Sequence, residues 1–481
     1  MDQIGIIYGS VGTTRFNVLL NKLVEKNEYI QVNHETYNWI LCQIDEIERQ
    51  TDLSLDRAIE LSHGSNVSVT EKMIAKVSTI GYRDDRNILQ TPKTPLKAGS
   101  VVYKATDDVI KKVLGLTGAE KSSAYIGLLY GHDLKIYLDI NTLVQKHVSV
   151  LAKTGGGKSY LTGDLIEEFI KHKVTVLIFD PHGEYSTLKE PGKKYDGQRK
   201  FDVSPRGYAS QILEYSPDTK VNPGTRPLKF TLSALDPRDI LGLTSIKNVR
   251  QYLTYLRKAV DIIRQHKSNY SIDDIIDVLL SYEDPQLSPL ITELEYMREI
   301  DIFADKGTHL SELLHPGKTT IINLRGVPPD IQELVVNRIM NALFQLRKLQ
   351  KIPPLITVLE EAHNYCPQQG ISQCSRILRT IASEGRKFGL GLFIVTQRAA
   401  KVDKNVLSQC NTQIILKITN PNDLNAVTAS VEGLTPGMAD AISSLPIGVA
   451  IVTGGGLSMP IFVEVRPRET KHGGESVKVV E

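Results

Sequence analysis

Hydrophobic and polar positions follow one pattern up to about residue 135 and another pattern beyond it. The first part contains short β-rich runs that are separated by turn clusters such as TPKTPLKAGS. Such runs are typical of a small β-barrel or sandwich. One stretch, ETYNWILCQIDEIERQ, has helical spacing and is predicted to interrupt the strands. The predicted strands are QIGIIYGS, VSVTEKMIAKVSTIGYR, SVVYKAT, AYIGLLYG and LKIYLDI.

From about residue 140 the runs become those of a buried parallel sheet. KHVSVLA predicts a strand, SYLTGDLIEEFIKHK has apolar residues at helical spacing, and VTVLIFD predicts a second strand. This order is a βαβ unit, so the predicted fold class is α/β with a sheet rich in parallel strands. Further buried strands are predicted at TTIINL (319–324), LITVLE (355–360), LGLFIVT (390–396) and TQIILKI (412–418).

The pattern divides the chain into five parts. A charged, mostly helical stretch lies between predicted core strands and is interpreted as an insertion, and a polar, glycine-containing tail follows Pro460. The predicted parts are a β-barrel (1–135), the first part of an α/β core (136–235), a helical insertion (236–315), the second part of the core (316–459) and a C-terminal tail (460–481).

Composition excludes few function classes. The 481 residues carry 57 basic and 55 acidic side chains, so the net charge of +2 neither demands nor excludes a nucleic-acid partner. The cysteines form no CxxC pair, which argues against zinc, and their scatter predicts a reducing, cytoplasmic setting. The N-terminus has no signal-peptide pattern, and no apolar run approaches about 18 residues, so no membrane segment is predicted. The four cysteines are Cys42, Cys366, Cys374 and Cys410.

The stretch AKTGGGKSY carries the strongest chemical signal. It fits the P-loop pattern, with Ala152 where a first glycine is commonest. Glycines let successive N–H groups point at phosphate oxygens, Lys158 would reach the β- and γ-phosphates of ATP, and the Ser159 hydroxyl would bind Mg²⁺. A glycine turn without a ligand is the alternative, but the position between a predicted strand and a predicted helix favours nucleotide binding. The predicted nucleotide-binding residues are Ala152, Lys153, Thr154, Gly155, Gly156, Gly157, Lys158, Ser159 and Tyr160.

Two adjacent carboxylates follow the buried strand LITVL. Glu360 is predicted to organise Mg²⁺, and Glu361 is predicted to orient or deprotonate the attacking water. A solvated strand end is the alternative interpretation. Because two buried carboxylates are costly unless a cation or water meets them, a neighbouring P-loop favours the catalytic interpretation.

Three further residues are candidates for the catalytic set. Gln397 follows a buried strand and is predicted to sense the γ-phosphate, although a polar loop residue is also common there. Arg386, in a short glycine-flanked segment after a helix, would serve a neighbouring subunit's γ-phosphate or be a solvated charge. Asp180 ends the strand after the P-loop helix, where ligands of open α/β sheets bind, or forms an Asp-Pro turn.

Five basic residues near the later strand ends are candidates for DNA contacts. If the chain forms a ring, loops at these positions would face its pore, whereas each residue taken alone is better explained as a surface charge. They are Arg376, Arg379, Arg398, Lys401 and Lys404.

Taken in order, five segments resemble those of the HerA–FtsK branch of P-loop ATPases, and specifically the archaeal HerA DNA translocases. The resemblance covers residues 140–465, and the β-rich first part is similar to the HAS-barrel that accompanies this family. The segments are LAKTGGGKSY, FDPHGEY, VLEEAHNYCP, SEGRKFG and VTQRAAKVDKNVLSQCNTQIIL.

The resemblance implies a RecA-like core in a homo-hexameric ring that hydrolyses ATP with Mg²⁺ and pumps double-stranded DNA through its centre. It implies a NurA-type nuclease bound to the barrel face, and resection of DNA ends alongside Mre11 and Rad50. The expected location is the cytoplasm, at the nucleoid during repair.

The resemblance also implies residue roles. Lys158 and Ser159 would hold phosphate and Mg²⁺, Glu361 would be the catalytic carboxylate, and Arg386 would act in trans. Asp180 would be an acidic residue of the active site. Lys146 would contact the neighbouring subunit, and the C-terminal tail would brace it. Glu360 stands where an aspartate is usual, which leaves its role in Mg²⁺ binding open.

Other functions compete with this interpretation. A membrane-linked pump of the FtsK or conjugation type normally carries transmembrane segments, and a protein-remodelling ATPase would not be stimulated by DNA. A non-catalytic scaffold would not need Lys158, Ser159 and Glu361 together. A DEAH-type helicase is disfavoured because EEAH lies about 200 residues after the P-loop and no arginine-rich motif VI follows.

Overall fold

The chain forms two compact units. A computed structural model describes residues 1–474 except positions 65, 67, 117, 119, 120, 195, 243, 245, 247, 248, 300, 301, 371 and 432. The first unit comprises residues 1–138 and 415–465, and the second comprises 139–414 and 466–481. Among the helices that this structure describes, none combines the length and the apolar character needed to cross a bilayer.

The first unit begins with a closed antiparallel barrel. The elements of this N-terminal stretch, within and beyond the barrel, are β1 (Gln3–Tyr8), β2 (Arg15–Leu20), β3 (Tyr29–His34), β4 (Asn38–Thr51), α1 (Leu55–Ser62), β5 (Glu71–Arg83), β6 (Leu89–Gln90), β7 (Val101–Lys104), α2 (Asp107–Leu114), β8 (Ser123–Leu129) and β9 (Lys135–Asp139). Strands pair in the order β2-β1-β7-β3-β4-β5, and β2 pairs with β5 to close the barrel. The predicted N-terminal barrel is confirmed.

The predicted helix ETYNWILCQIDEIERQ is wrong, because this stretch forms strand β4. Ile40, Cys42 and Ile44 alternate into the apolar core of the barrel. Ile40 and Ile44 are four residues apart, a spacing that fits a helix and a strand equally well. Pairing with β3 on one side and β5 on the other decides in favour of the strand.

The second unit contains the predicted parallel sheet with helices. Its elements are α3 (Ile140–Gln145), β10 (Val148–Leu151), α4 (Lys158–Lys171), β11 (Thr175–Asp180), β12 (Ile212–Ser216), β13 (Arg226–Pro227), α5 (Pro237–Leu241), α6 (Val249–His266), α7 (Ile272–Leu280), α8 (Ser288–Glu299), α9 (Leu310–Leu313), β14 (Thr319–Asn323), α10 (Pro329–Lys348), β15 (Leu355–Leu359), α11 (Gln373–Phe388), β16 (Leu390–Thr396), α12 (Lys404–Leu407) and β17 (Thr412–Ile415). The predicted βαβ unit is β10-α4-β11, and the stretch between β13 and β14 is helical, as expected for the insertion.

The sheet of the second unit has the order β13-β12-β14-β11-β15-β16-β10-β17. The strands from β13 to β10 run parallel, so their carboxyl ends meet at one edge. The four neighbouring strands β11, β15, β16 and β10 carry Asp180, Glu360, Gln397 and the P-loop at this edge. Strand order therefore brings the predicted site residues together.

The last strands of the first unit correct a second prediction. They follow α13 (Pro421–Ser430) and α14 (Pro436–Ala441) and are β18 (Val449–Thr453) and β19 (Ile461–Val465). AYIGLLYG and LKIYLDI, which were expected in the barrel, form β8 and β9, and β8 pairs with β19 instead. An alternating run identifies a half-buried strand but not its neighbour. The predicted tail thus begins with a strand, and its positions 475–481 lie outside the described residues.

Candidate nucleotide-binding site

The P-loop joins the carboxyl end of β10 to the first residue of α4. Gly155 and Gly157 have φ of 70° and 91°, in the left-handed region that glycine tolerates best. A Cβ on Gly156 would lie 2.9 Å from the carbonyl oxygen of Lys153. The loop therefore needs its glycines for backbone geometry, and it places N–H groups at the start of a 14-residue helix, where anions bind.

Lys158 lies between two carboxylates at this edge of the sheet. Its ammonium pairs with Glu360, and it donates to Glu361 Oε1 at 2.9 Å. Only 9% of Lys158 is exposed. Burial opposes its charge, but the two carboxylates outweigh burial and raise the pKa of Lys158. The predicted P-loop lysine and acidic pair thus form one buried cluster.

Glu360 is buried completely, and both of its oxygens have partners. Tyr185 donates its hydroxyl to Glu360 Oε2 at 2.6 Å, while Lys158 occupies the other oxygen. Burial raises the pKa of Glu360, and Lys158 opposes that rise. Tyr185 is a member of the site that the sequence did not single out, although it is the last residue of FDPHGEY.

Glu361 has an unusual backbone conformation for a residue with a side chain. Its φ and ψ are 51° and 47°, which is left-handed. Such strain clusters at functional sites when the surroundings enforce it. Its Oε2 is buried without a hydrogen-bond partner among the described residues, and His363 Nδ1 lies 3.3 Å from it. This carboxylate oxygen is therefore placed to accept a proton or a hydrogen bond from a bound molecule.

Asp180 lies close to this cluster, but its carboxylate oxygens accept hydrogen bonds from the loop that follows it. It accepts backbone N–H groups from His182 at 3.2 Å, Gly183 at 2.8 Å and Tyr185 at 2.9 Å. Burial raises the pKa of Asp180 to about 6, and Glu360 contributes to that rise. These bonds fix the turn that carries Tyr185 towards Glu360.

Gln397 contacts the P-loop directly. Its Oε1 accepts the hydroxyl of Thr154, and Gln397 immediately follows β16. Ser159 lies half-exposed in the first turn of α4, beside Lys158, while Lys153 is exposed. The hydroxyl of Tyr160 accepts the N–H of Arg468 at 2.8 Å, so Tyr160 anchors the C-terminal segment.

The candidate basic residues lie outside this cluster. Arg386 is exposed in the last turn of α11 and not in a loop after a helix, which corrects the sequence prediction. The helix continues through Gly385, where a Cβ would lie 2.5 Å from the carbonyl oxygen of Leu390, and it ends at Phe388, before Gly389 with its φ of 68°.

The other basic candidates are also at the surface. Arg379 pairs with the buried Asp403, and Lys146 is half-exposed at the end of α3. The remaining four residues are exposed on α11 or on the segment after β16, and they are Arg376, Arg398, Lys401 and Lys404.

The cluster fits a Mg²⁺–nucleotide. Lys158, Glu360 and Glu361 together leave one net negative charge in a buried setting, and Glu361 Oε2 is unpaired. The described residues contain no group of three or more His, Cys, Asp or Glu side chains that would hold a metal by themselves. Mg²⁺ binds through one or two protein carboxylates and substrate phosphates, and Glu360 and Glu361 supply two carboxylates at the P-loop lysine.

Comparison with known proteins places the chain among helicases. Residues 124–343 match the family described as Helicase HerA, central domain. The DNA double-strand break repair helicase HerA of Pyrococcus furiosus is 25% identical over 100% of this chain and 96% of its own length. The protein of the same name from Sulfurisphaera tokodaii is 27% identical over 99% and 96%. A probable helicase of Methanocaldococcus jannaschii is 28% identical over 100% and 94%.

Solved structures support the fold. VirB4 of Thermoanaerobacter pseudethanolicus has a TM-score of 0.51 at 13% identity and covers 73% of this chain and 98% of its own. The plasmid coupling protein TrwB in complex with ADP and Mg²⁺ has a TM-score of 0.50 at 14% identity and covers 76% and 93%. The full-length relatives and the matched central domain agree with the P-loop cluster, so the chain is similar to the HerA helicases and shares the fold of P-loop ATPases.

Proposed function

We propose that this chain is an ATP-driven translocase of double-stranded DNA that acts as a homo-hexamer in DNA end resection for recombinational repair. The observation that carries the proposal is the position of Lys158 between Glu360 and Glu361 at the P-loop. Relatives named as DNA double-strand break repair helicases, aligned over nearly the whole chain, support the DNA substrate.

Nucleotide binding would rearrange the cluster. Phosphate oxygens on the P-loop attract the ammonium of Lys158 away from the carboxylates, because they carry more charge than either carboxylate. Ser159 and Glu360 would hold Mg²⁺, which neutralises phosphate charge. Loss of the lysine contact leaves Glu361 as a free carboxylate that orients or deprotonates the attacking water.

Gln397 and Arg386 complete the proposed catalytic set. Gln397 accepts the hydroxyl of Thr154 in the P-loop and would sense the γ-phosphate. Arg386 is exposed and would reach the nucleotide of a neighbouring subunit, with Lys146 at the same subunit boundary. Asp180 would act indirectly, by fixing the turn that positions Tyr185.

The exposed basic residues near β16 are the proposed DNA contacts. Arg376, Arg398, Lys401 and Lys404 are free to face a duplex, whereas Arg379 is already paired with Asp403. The proposed partners are a NurA-type nuclease at the barrel, with Mre11 and Rad50 in the same process. The proposed location is the cytoplasm, at the nucleoid during repair, and the C-terminal tail would brace a neighbouring subunit.

Steady-state ATPase activity with and without linear duplex DNA tests this function. We expect duplex to stimulate hydrolysis, the stimulation to fall as salt rises, and Glu361→Gln to lower kcat about 100-fold or more. Glu60→Gln, at an exposed position on α1, is the matched control. ATPase activity that does not change when duplex DNA is added would favour a protein-remodelling ATPase. Light scattering that shows only monomer under turnover conditions would contradict the proposed ring.

A further inference from the structure

His363 lies between the unpaired oxygen of Glu361 and the end of strand β16. It belongs to the short 3₁₀ turn Ala362–Asn364 that follows the acidic pair. Its Nδ1 is 3.3 Å from Glu361 Oε2 and 3.1 Å from Thr396 Oγ1. Nδ1 of His363 thus faces both the carboxylate of Glu361, just after β15, and the hydroxyl of Thr396, at the end of the neighbouring strand β16.

Thr396 connects this histidine to the nucleotide loop. It is fully buried as the last residue of β16, and its carbonyl oxygen accepts the N–H of Ala152 at 3.4 Å. The next residue, Gln397, accepts the hydroxyl of Thr154. Thr396, which ends β16, and Gln397, which follows it, therefore both contact the P-loop, and Thr396 also contacts His363.

The Glu361 carboxylate depends on few contacts for its direction. Lys158 holds Oε1 at 2.9 Å, whereas Oε2 has no aligned donor among the described residues. A buried carboxylate oxygen without a hydrogen-bond donor is destabilising, so a donor that rotates into alignment with it is favoured. When phosphate draws Lys158 away, the neighbouring group that can still orient the carboxylate is His363, in the tautomer that carries its proton on Nδ1.

We propose that His363 is a positioning residue that aims the Glu361 carboxylate at the attacking water and couples it, through Thr396, to nucleotide contacts at Thr154 and Gln397. This inference rests on the proposed catalytic role of Glu361. In the resting arrangement His363 bonds Thr396. With nucleotide bound it shares or transfers that bond to Glu361 Oε2.

Two substitutions at His363 separate positioning from structure. His363→Ala removes the donor, whereas the amide of His363→Asn places a donor near the position of Nδ1. We expect His363→Ala to lower kcat about 10- to 100-fold, since a misplacement of about 1 Å can cost about 100-fold. His363→Asn should recover most of that loss, and Thr396→Val should also lower kcat.

The readouts are kcat and KM for ATP, the Kd of a fluorescent ATP analogue and the Tm. The Kd and Tm of the His363 variants should stay near those of the parent, and His315→Ala, at an exposed histidine, is the matched control. An unchanged kcat in His363→Ala would overturn the proposal. So would an equal loss in His363→Ala and His363→Asn with a lowered Tm, because that pattern belongs to a structural residue. Full activity in Glu361→Gln would instead overturn the catalytic role of Glu361, independently of His363.

Discussion

Arg466 should be the most costly single charge to remove from the second unit. It is fully buried where the C-terminal segment crosses α4. Its guanidinium contacts Glu167 Oε2 at 3.0 Å, Glu168 Oε1 at 3.2 Å and the carbonyl of Asp164 at 3.0 Å. Three acidic residues of the P-loop helix therefore contact the buried Arg466, while Glu167 also pairs with Arg468 and Glu168 with Lys171.

The substitution Arg466→Met keeps most of the side-chain volume and removes the charge. Breaking a buried ion pair by deleting one partner costs about 3–5 kcal/mol, because the other charge stays buried without compensation. For a unit of this size, each 1 kcal/mol lowers Tm by about 2 °C, so we expect a decrease of about 6–10 °C. The matched control is Lys471→Met, whose ion pair with Glu190 is exposed and should contribute about 1 kcal/mol or less.

Urea unfolding and thermal melts of the two variants at pH 8 and pH 5 measure the difference. Burial holds the pKa of Asp164 well above its usual value, and Arg466 opposes that rise. Without Arg466 this pKa rises further, and a group with a raised folded pKa stabilises below its unfolded pKa and loses that effect as pH increases. The deficit of Arg466→Met should therefore be smaller at pH 5 than at pH 8. A deficit no larger than that of Lys471→Met would refute the reasoning.

Two further predictions concern buried titratable groups. Burial lowers the pKa of His147 to about 4, while its ring contacts the carbonyl of Ala382 and the N–H of Leu392. The unfolded chain takes up this proton near pH 6.5, so the parent should lose up to about 3 kcal/mol between pH 6.5 and 4. Unfolding free energies of the parent and His147→Asn across that range check it, and equal slopes would count against it. Burial also raises the thiol pKa of all four cysteines, to about 12 for Cys366. A thiol reagent at pH 8 should label none of them rapidly in the native protein and all of them in urea, and rapid native labelling of any one would contradict this.

The sequence was most informative where local chemistry constrains the backbone. The P-loop glycines and the acidic pair after β15 are recognisable because no ordinary turn or buried strand end needs them. Their meeting follows from strand order, since parallel strands end at one edge. The error at β4 arose where spacing alone was ambiguous, and only pairing on both sides resolves Ile40 and Ile44.

Contacts between distant segments could not be predicted in the same way. Tyr185 and Glu360 are 175 positions apart, and nothing local marks their hydrogen bond. In the sequence, the acidic residues of α4 cannot be distinguished from an ordinary polar helix face, because only the fold brings Arg466 into contact with them. In the sequence, Gly385 resembles the end of a helix, yet it lies inside α11, where a Cβ would clash with neighbouring atoms. The prediction therefore placed Arg386 after the helix instead of in its last turn.

These contacts divide the residues around the nucleotide into two groups with different expected effects. The C-terminal segment holds α4 itself, because Tyr160 accepts the N–H of Arg468 and Glu167 accepts those of Glu469 and Thr470. Since α4 begins at Lys158, we expect changes in that segment to act on the proposed phosphate-binding end of α4 and therefore on nucleotide affinity. His363 lies on the carboxylate side, and Thr396 contacts both His363 and the N–H of Ala152, so we expect changes at His363 to act mainly on the rate of hydrolysis. We therefore expect a strand end and a C-terminal segment to control separate steps of the proposed ATPase cycle, namely hydrolysis and nucleotide binding.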